Sequence, residues 1–124
     1  MVSLMDKMVE EKLLNNLLIL KVLPERLDLV NAETFKEIVL KYIDNGNINV
    51  ILNLSNINFL DSSGLGALVV VFKRLNKKGY FSICCANKSV ISLFNLTRMN
   101  RLFNIFFTEE ESIKALQNKW KNVV

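Results

Sequence analysis

Three short, almost unbroken apolar runs set apart by helix-length segments constrain this chain more than anything else in it. Leu17-Leu-Ile-Leu-Lys-Val-Leu23, Asn49-Val-Ile-Leu-Asn-Leu54 and Tyr80-Phe-Ser-Ile-Cys-Cys-Ala86 have the length and character of strands buried within a sheet. Between the first two, Asn31-Ala-Glu-Thr supplies an N-cap residue and an acid in the first turn. Phe35, Ile38, Val39 and Tyr42 then follow at helical spacing, with the helix ending near Gly46. Between the second and third runs, a helix is expected to reach Leu75, ahead of a Lys78-Gly79 turn. Helices of this length serve as crossovers between parallel strands, so the order of segments predicts an α/β fold with several parallel pairs.

The flanking segments extend the pattern. Lys7 to Leu23 reads as two extended segments meeting at Asn15-Asn16, residues that tolerate the positive φ of a two-residue hairpin. Further on, Val90, Leu93 and Phe94 mark a short helix and Asn104-Ile-Phe-Phe107 a short strand. Thr108-Glu-Glu-Glu111 forms a capping box opening a helix that carries Ile113, Leu116 and Trp120. The 124 residues, 51% hydrophobic, contain no repeat or linker, so residues 1–124 are expected to form one domain, with Met1 to Asp6 a frayed end.

Composition removes several classes of function. There is no histidine, which excludes serine–histidine and cysteine–histidine catalysis and the usual zinc sites. The net charge of +4 is spread along the chain. Its densest stretch, Lys73, Arg74, Lys77 and Lys78, lacks the interleaved aromatics that stack bases, so no nucleic-acid partner is expected. Cys84 and Cys85 are neighbours in an apolar run, where a bridge between them would be strained, and both read as reduced core residues. The longest uncharged apolar run, Gly64 to Phe72, is far too short to cross a bilayer. Met1-Val-Ser-Leu-Met-Asp-Lys7 places an acid and a base where a secretory signal needs an apolar stretch. A cytoplasmic protein without membrane insertion is expected.

The segment Asn58-Phe-Leu-Asp-Ser-Ser-Gly-Leu-Gly-Ala-Leu68 joins a buried strand to a helix. Asp61, Ser62 and Ser63 are residue types whose side-chain oxygens cap the free N–H groups of a first helical turn. Gly64 and Gly66 cost helix stability, about 0.5–1 kcal/mol each relative to alanine, and are read as sites of close backbone approach. Within the helix, Leu65, Leu68, Val69 and Phe72 form a core stripe, while Ala67, Val70 and Val71 form a second apolar face. That second face is either covered within the domain or docks another protein.

Phe59-Leu-Asp-Ser-Ser-Gly-Leu-Gly-Ala-Leu68 resembles the signature of STAS domains, the sulfate transporter and anti-sigma factor antagonist family. Leu23-Pro-Glu-Arg-Leu-Asp28 with Asn31-Ala32 resembles the family's early loop, with Glu25 where a glycine is usual. Val90 to Phe94 and Phe103 to Thr108 resemble its closing part. The resemblance implies a mixed β-sheet with helices packed mainly on one face. It also implies that Ser62, with Ser63 the neighbouring candidate, is phosphorylated by a partner that is both anti-sigma factor and ATP-dependent serine kinase. Asp28 would support phosphoryl transfer, Asp61, Ser63, Gly64 and Gly66 would support that step or partner binding, and a serine phosphatase would reset the switch. The chain would need no cofactor of its own, the ATP coming through the kinase, and would be a monomer when unbound. One rival reading is a STAS subunit of a transport system or of a larger signalling scaffold. Another is an enzyme using Asp28, Asp61 and Ser62, although no histidine or lysine is placed by sequence to activate the serine.

Overall fold

The computed structural model describes residues 7–121, so the expected frayed end at Met1 to Asp6 lies outside the described residues. The hairpin forms as the asparagines require: β1 (Val9–Leu14) and β2 (Leu17–Val22) pair antiparallel about Asn15, whose φ is 54°. After β3 (Arg26–Leu27) and α1 (Ala32–Asp44), the chain re-enters the sheet as β4 (Asn49–Asn53). It then makes β5 (Phe59–Leu60), α2 (Ser62–Leu75) and β6 (Tyr80–Cys84). The closing elements are α3 (Lys88–Leu96), a single 3-10 turn at Met99–Arg101, β7 (Asn104–Phe106) and α4 (Glu109–Lys121).

The main sheet runs β1-β2-β4-β6-β7, with every pair after the hairpin parallel. Alternation along the strands sorts the side chains. Leu18, Leu20, Val50, Leu52, Phe81 and Ile83 point to one face, where α1, α2 and α3 bury Phe35, Val39, Leu68, Val71 and Phe94 on them. Leu17, Ile19, Ile51, Tyr80 and Cys84 point to the other face, which α4 covers through Leu116. This is the mixed sheet with helices mainly on one face that the resemblance implied. Gly79 is needed at the turn into β6, because a Cβ there would overlap the Ile48 carbonyl.

Several sequence readings change in detail. Asn31 holds the N-cap position of α1 but makes no side-chain bond to the helix. Its amide is used within the preceding loop instead, accepting from the Asp28 N–H at 3.0 Å and donating to the Arg26 carbonyl at 2.8 Å. The Thr108 hydroxyl caps α4 by accepting from the Glu111 N–H at 3.1 Å. Cys84 is buried and Cys85 half-buried, both free, and a φ of 66° at Cys85 ends β6. The two-residue strands β3 and β5, which form a separate parallel pair, had no signal long enough to read.

The two apolar faces of α2 also resolve differently. Gly64, Ala67, Leu68, Val71 and Leu75 are its buried residues, while Leu65, Val69 and Phe72 pack at the margin of the core. Val71 is therefore closed off from any partner, and Ala67 keeps only an edge at the surface. The sheet lies beneath α2 and α1 along its flank, so together they cover both stripes. Val71 is fully buried, and only Val70, 38% exposed, is left on the outside.

Candidate functional site

The site is a junction between two loops that the tiny β3–β5 sheet holds together. Arg26 lies opposite Phe59 and Leu27 opposite Leu60. The Glu25 carbonyl accepts from the N–H groups of Asn58 at 2.7 Å and Phe59 at 3.2 Å, and the Leu27 carbonyl accepts from Asp61 N–H at 3.3 Å. Glu25 thus contributes through its main chain and is not among the described residues with positive φ, so a glycine is not required there.

Asp61 occupies the N-cap of α2 in an extended conformation and uses each carboxylate oxygen separately. Oδ1 accepts from the Gly64 N–H at 3.0 Å, satisfying a free donor of the first helical turn. Oδ2 accepts from the Leu29 N–H at 3.0 Å, tying the early loop to the helix start. These bonds, the Gly64 N–H first among them, outweigh desolvation and hold the Asp61 carboxyl below the usual aspartate range. The Leu29 and Ser63 N–H groups and the Arg26 charge act in the same direction.

Asp28 organises the other side. Its Oδ2 accepts from Arg26 Nε at 3.1 Å, its Oδ1 accepts from the Val30 N–H at 3.0 Å, and its carbonyl accepts from Ala32 N–H at 2.8 Å. The Arg26 guanidinium also lies over the Phe59 ring, 4.1 Å from its centroid. Asp28, Asp61 and the opening of α2 are thereby brought into one cluster. Arg26 was missed in the sequence, where nothing distinguished it from other scattered cations.

Ser62 is exposed and Ser63 half-buried, at the first two positions of α2. Among the described residues, no hydrogen bond joins the Ser62 hydroxyl to either carboxylate, both of which are already engaged. The two glycines differ in kind. A Cβ on Gly64 would overlap the Leu27 carbonyl and lie 2.6 Å from Leu60 Cδ1, so Gly64 is where β3 and α2 touch. A Cβ on Gly66 would meet nothing within 4 Å, so the expected close approach within the domain does not occur there. Gly66 instead lines an open groove of about 370 Å³ between α1 and α2, beside Leu29, Lys36, Ser63, Ala67 and Val70. Although 5% exposed, Ala67 only reaches the groove's floor.

Around this junction the chain leaves large apolar side chains in water: Leu29, Val30, Phe59 and Val70 are all exposed. Leu29-Val30 stands outside any periodic element, directly before the N-cap of α1, and that position was the one available hint of it in the sequence. Among the described residues there is no group of histidine, cysteine, aspartate or glutamate that could hold a metal ion. No helix there is long and apolar enough to cross a membrane.

Comparison with known proteins gives concordant results. A Thermotoga maritima protein named "Putative anti-sigma factor antagonist" is 28% identical over 97 residues, covering 77% of this chain and 86% of the relative. A crystal structure of a protein so described from the same organism superimposes with a TM-score of 0.82 at 26% identity, covering 89% of this chain and 95% of the other. The anti-sigma factor antagonist SpoIIAA in its unphosphorylated form shares the fold, with a TM-score of 0.74 at 19% identity over 89% of this chain and 96% of its own. The family model for the STAS domain matches residues 9–112, and with the sheet order and the Asp61–Ser62 corner already described, the chain belongs to the STAS domain family.

Proposed function

We propose that this STAS domain is an anti-sigma factor antagonist whose binding state is set by a phosphate on Ser62. Its unmodified form holds an anti-sigma factor that is also a serine kinase, which frees a sigma factor. The kinase brings the ATP, and a separate serine phosphatase removes the phosphate. One observation carries the reading: an exposed serine at the opening of α2 is surrounded by exposed Leu29, Val30, Phe59 and Val70. A monomer has no use for such a collar, whereas a docking partner does.

The physics of the switch follows from that position. A phosphoserine brings about −1.5 to −2 charges beside the existing Asp61 carboxylate. A partner resting on the apolar collar would meet a hydrated dianion, and leaving it unpaired would cost several kcal/mol of binding. The naming of relatives as anti-sigma factor antagonists supports the partner class. Calorimetric titration with the anti-sigma factor is the test. Ser62→Ala should bind like wild type and keep binding after incubation with kinase and ATP, while Ser62→Asp should bind at least tenfold more weakly. Equal binding by all three proteins before and after kinase treatment would end the proposal, and peptide mass spectrometry would separate Ser62 from Ser63.

A further inference from the structure

The pole of the molecule opposite Ser62 combines exposed apolar side chains with lysines in no salt bridge among the described residues, Lys119 lying 5.7 Å from the Tyr80 ring centroid. An open basin of about 400 Å³ lies where β4 and β6 begin, lined by Lys77, Lys78, Lys119, Trp120 and Ile48, and none of the described residues lining it is acidic. Among the described residues, none of these three lysines is in a salt bridge. Asp44, at the end of α1 on this same pole, is already paired with Arg74 at 2.6 Å. Lysines at the C-terminal ends of α2 and α4 do balance helix dipoles, but each dipole end carries only about half a charge, so three lysines leave a surplus.

The apolar component comes from two directions. Trp120 is 45% exposed, and Ile48, on the same basin, is exposed as well. The hairpin tip adds exposed Leu13 and Leu14, and the Asn49 side chain secures that tip to the start of β4 by donating to the Asn16 carbonyl at 3.1 Å. Leucine and isoleucine tips, an indole and a rim of lysines in no salt bridge are the side chains that settle at a membrane–water boundary. The indole sits at headgroup depth and the ammonium groups reach phosphates.

We infer that this pole docks on the surface of an anionic bilayer, with lipid headgroup phosphates at Lys77, Lys78 and Lys119 and the side chains of Trp120, Leu13 and Leu14 at the boundary. No helix inserts. Because β4 and β6 run away from this pole, docking leaves the Ser62 corner pointing outward and open to its partner. The inference stands on residues separate from the phosphorylation site, so either can fail alone.

Trp120 is the only tryptophan in the chain, so its emission reports this pole directly. The full chain would be mixed with vesicles of phosphatidylcholine alone and of phosphatidylcholine with phosphatidylglycerol, following co-sedimentation and fluorescence. The expected result is sedimentation with the anionic vesicles only, a blue shift of the indole, and loss of both as salt is raised. The triple variant Lys77→Glu, Lys78→Glu, Lys119→Glu should partition about a hundredfold more weakly. The variant Leu13→Ser, Leu14→Ser should weaken partitioning while keeping the salt dependence, and it gives an independent reading if the triple variant does not fold. Equal sedimentation with both vesicle types, or with neither, overturns the inference. So does an indole that responds to inorganic phosphate or to a duplex oligonucleotide but not to vesicles, which would make the pole a site for soluble anions.

Discussion

Replacing each of the two glycines of α2 by alanine should change stability in opposite directions. Within a helix, glycine to alanine is worth about 0.5–1 kcal/mol in favour of alanine. At Gly66 that gain should appear nearly whole, since the new methyl has nothing within 4 Å. At Gly64 the methyl would strike the Leu27 carbonyl, which also receives the Asp61 N–H, and would lie 2.6 Å from Leu60 Cδ1. Backbone cannot rotate aside as a side-chain tip can, so relief requires α2 to move off β3. Overpacking of this kind costs about 1–3 kcal/mol, so Gly64→Ala should be destabilised by about 1 kcal/mol net, and Gly66→Ala stabilised by about 0.5 kcal/mol. Urea denaturation of the three proteins, with midpoints compared at a common slope, reads both values. A Gly64→Ala protein as stable as wild type would refute the contact between β3 and α2. A destabilised Gly66→Ala would refute the openness of the groove. Partner binding gives a second axis: Gly66→Ala fills part of the groove floor beside Ser63 and should weaken binding of the anti-sigma factor although the fold is firmer.

Other consequences can be checked alongside. Val71→Ala should cost about 2 kcal/mol of stability because the side chain is fully buried, whereas Val70→Asp should leave the denaturation midpoint nearly unchanged and reduce partner binding. The Asp61 carboxyl is lowered in the folded state, so its contribution is present above the ordinary aspartate range and is lost as pH falls through its lowered value. Asp61→Asn should therefore flatten the acid limb of a stability–pH profile, and an unchanged limb would remove Asp61 as its source. Burial pushes the Cys84 thiol up, so iodoacetamide at neutral pH should label half-buried Cys85 first and Cys84 only after unfolding; simultaneous labelling would contradict this.

How much could be read in advance depended on how many residues shared a signal. The strands β2, β4 and β6 and the helix α1 each repeat their message over five or more residues, and all appeared close to where the sequence put them. The pair β3–β5 is two residues long on each side and is held by partners about thirty positions away, so no local pattern announces it. The second face of α2 stayed open between cover within the domain and a docking partner, because periodicity alone does not say what lies against a helix. Leu65, Leu68, Val69 and Phe72 do pack on the core as their stripe predicts, but so do Ala67 and Val71. What decides burial is which stripe can approach closely, and the small residues win where β3 and α1 crowd the helix. Asp61, Ser62 and Ser63 were legible because capping is a local rule. The role of Asn31 was not, because its amide chose the loop over the helix it precedes.

Under the proposed function, the same geometry would let a phosphate on Ser62 change binding without unfolding the host. A helix N-terminus welcomes a phosphate, but here Asp61 already takes the Gly64 N–H and the Leu29 N–H, so the phosphate cannot simply replace water at an empty anion site. It must share the corner with a carboxylate whose ionised form the fold has stabilised. The cations at hand are Arg26, committed to Asp28 and to the face of Phe59, and Lys36, which lines the groove beside Ser63 and is paired with Glu33 at 2.9 Å. Internal pairing would thus disturb the early loop or break the Lys36–Glu33 pair, while external pairing would need a cation from a partner. A partner shaped for Leu29, Val30, Phe59 and Val70 is apolar at that point. On the proposed switch the host would keep its hydrated dianion at little cost and the complex would bear the desolvation penalty, so a phosphate would act on association while leaving the fold intact.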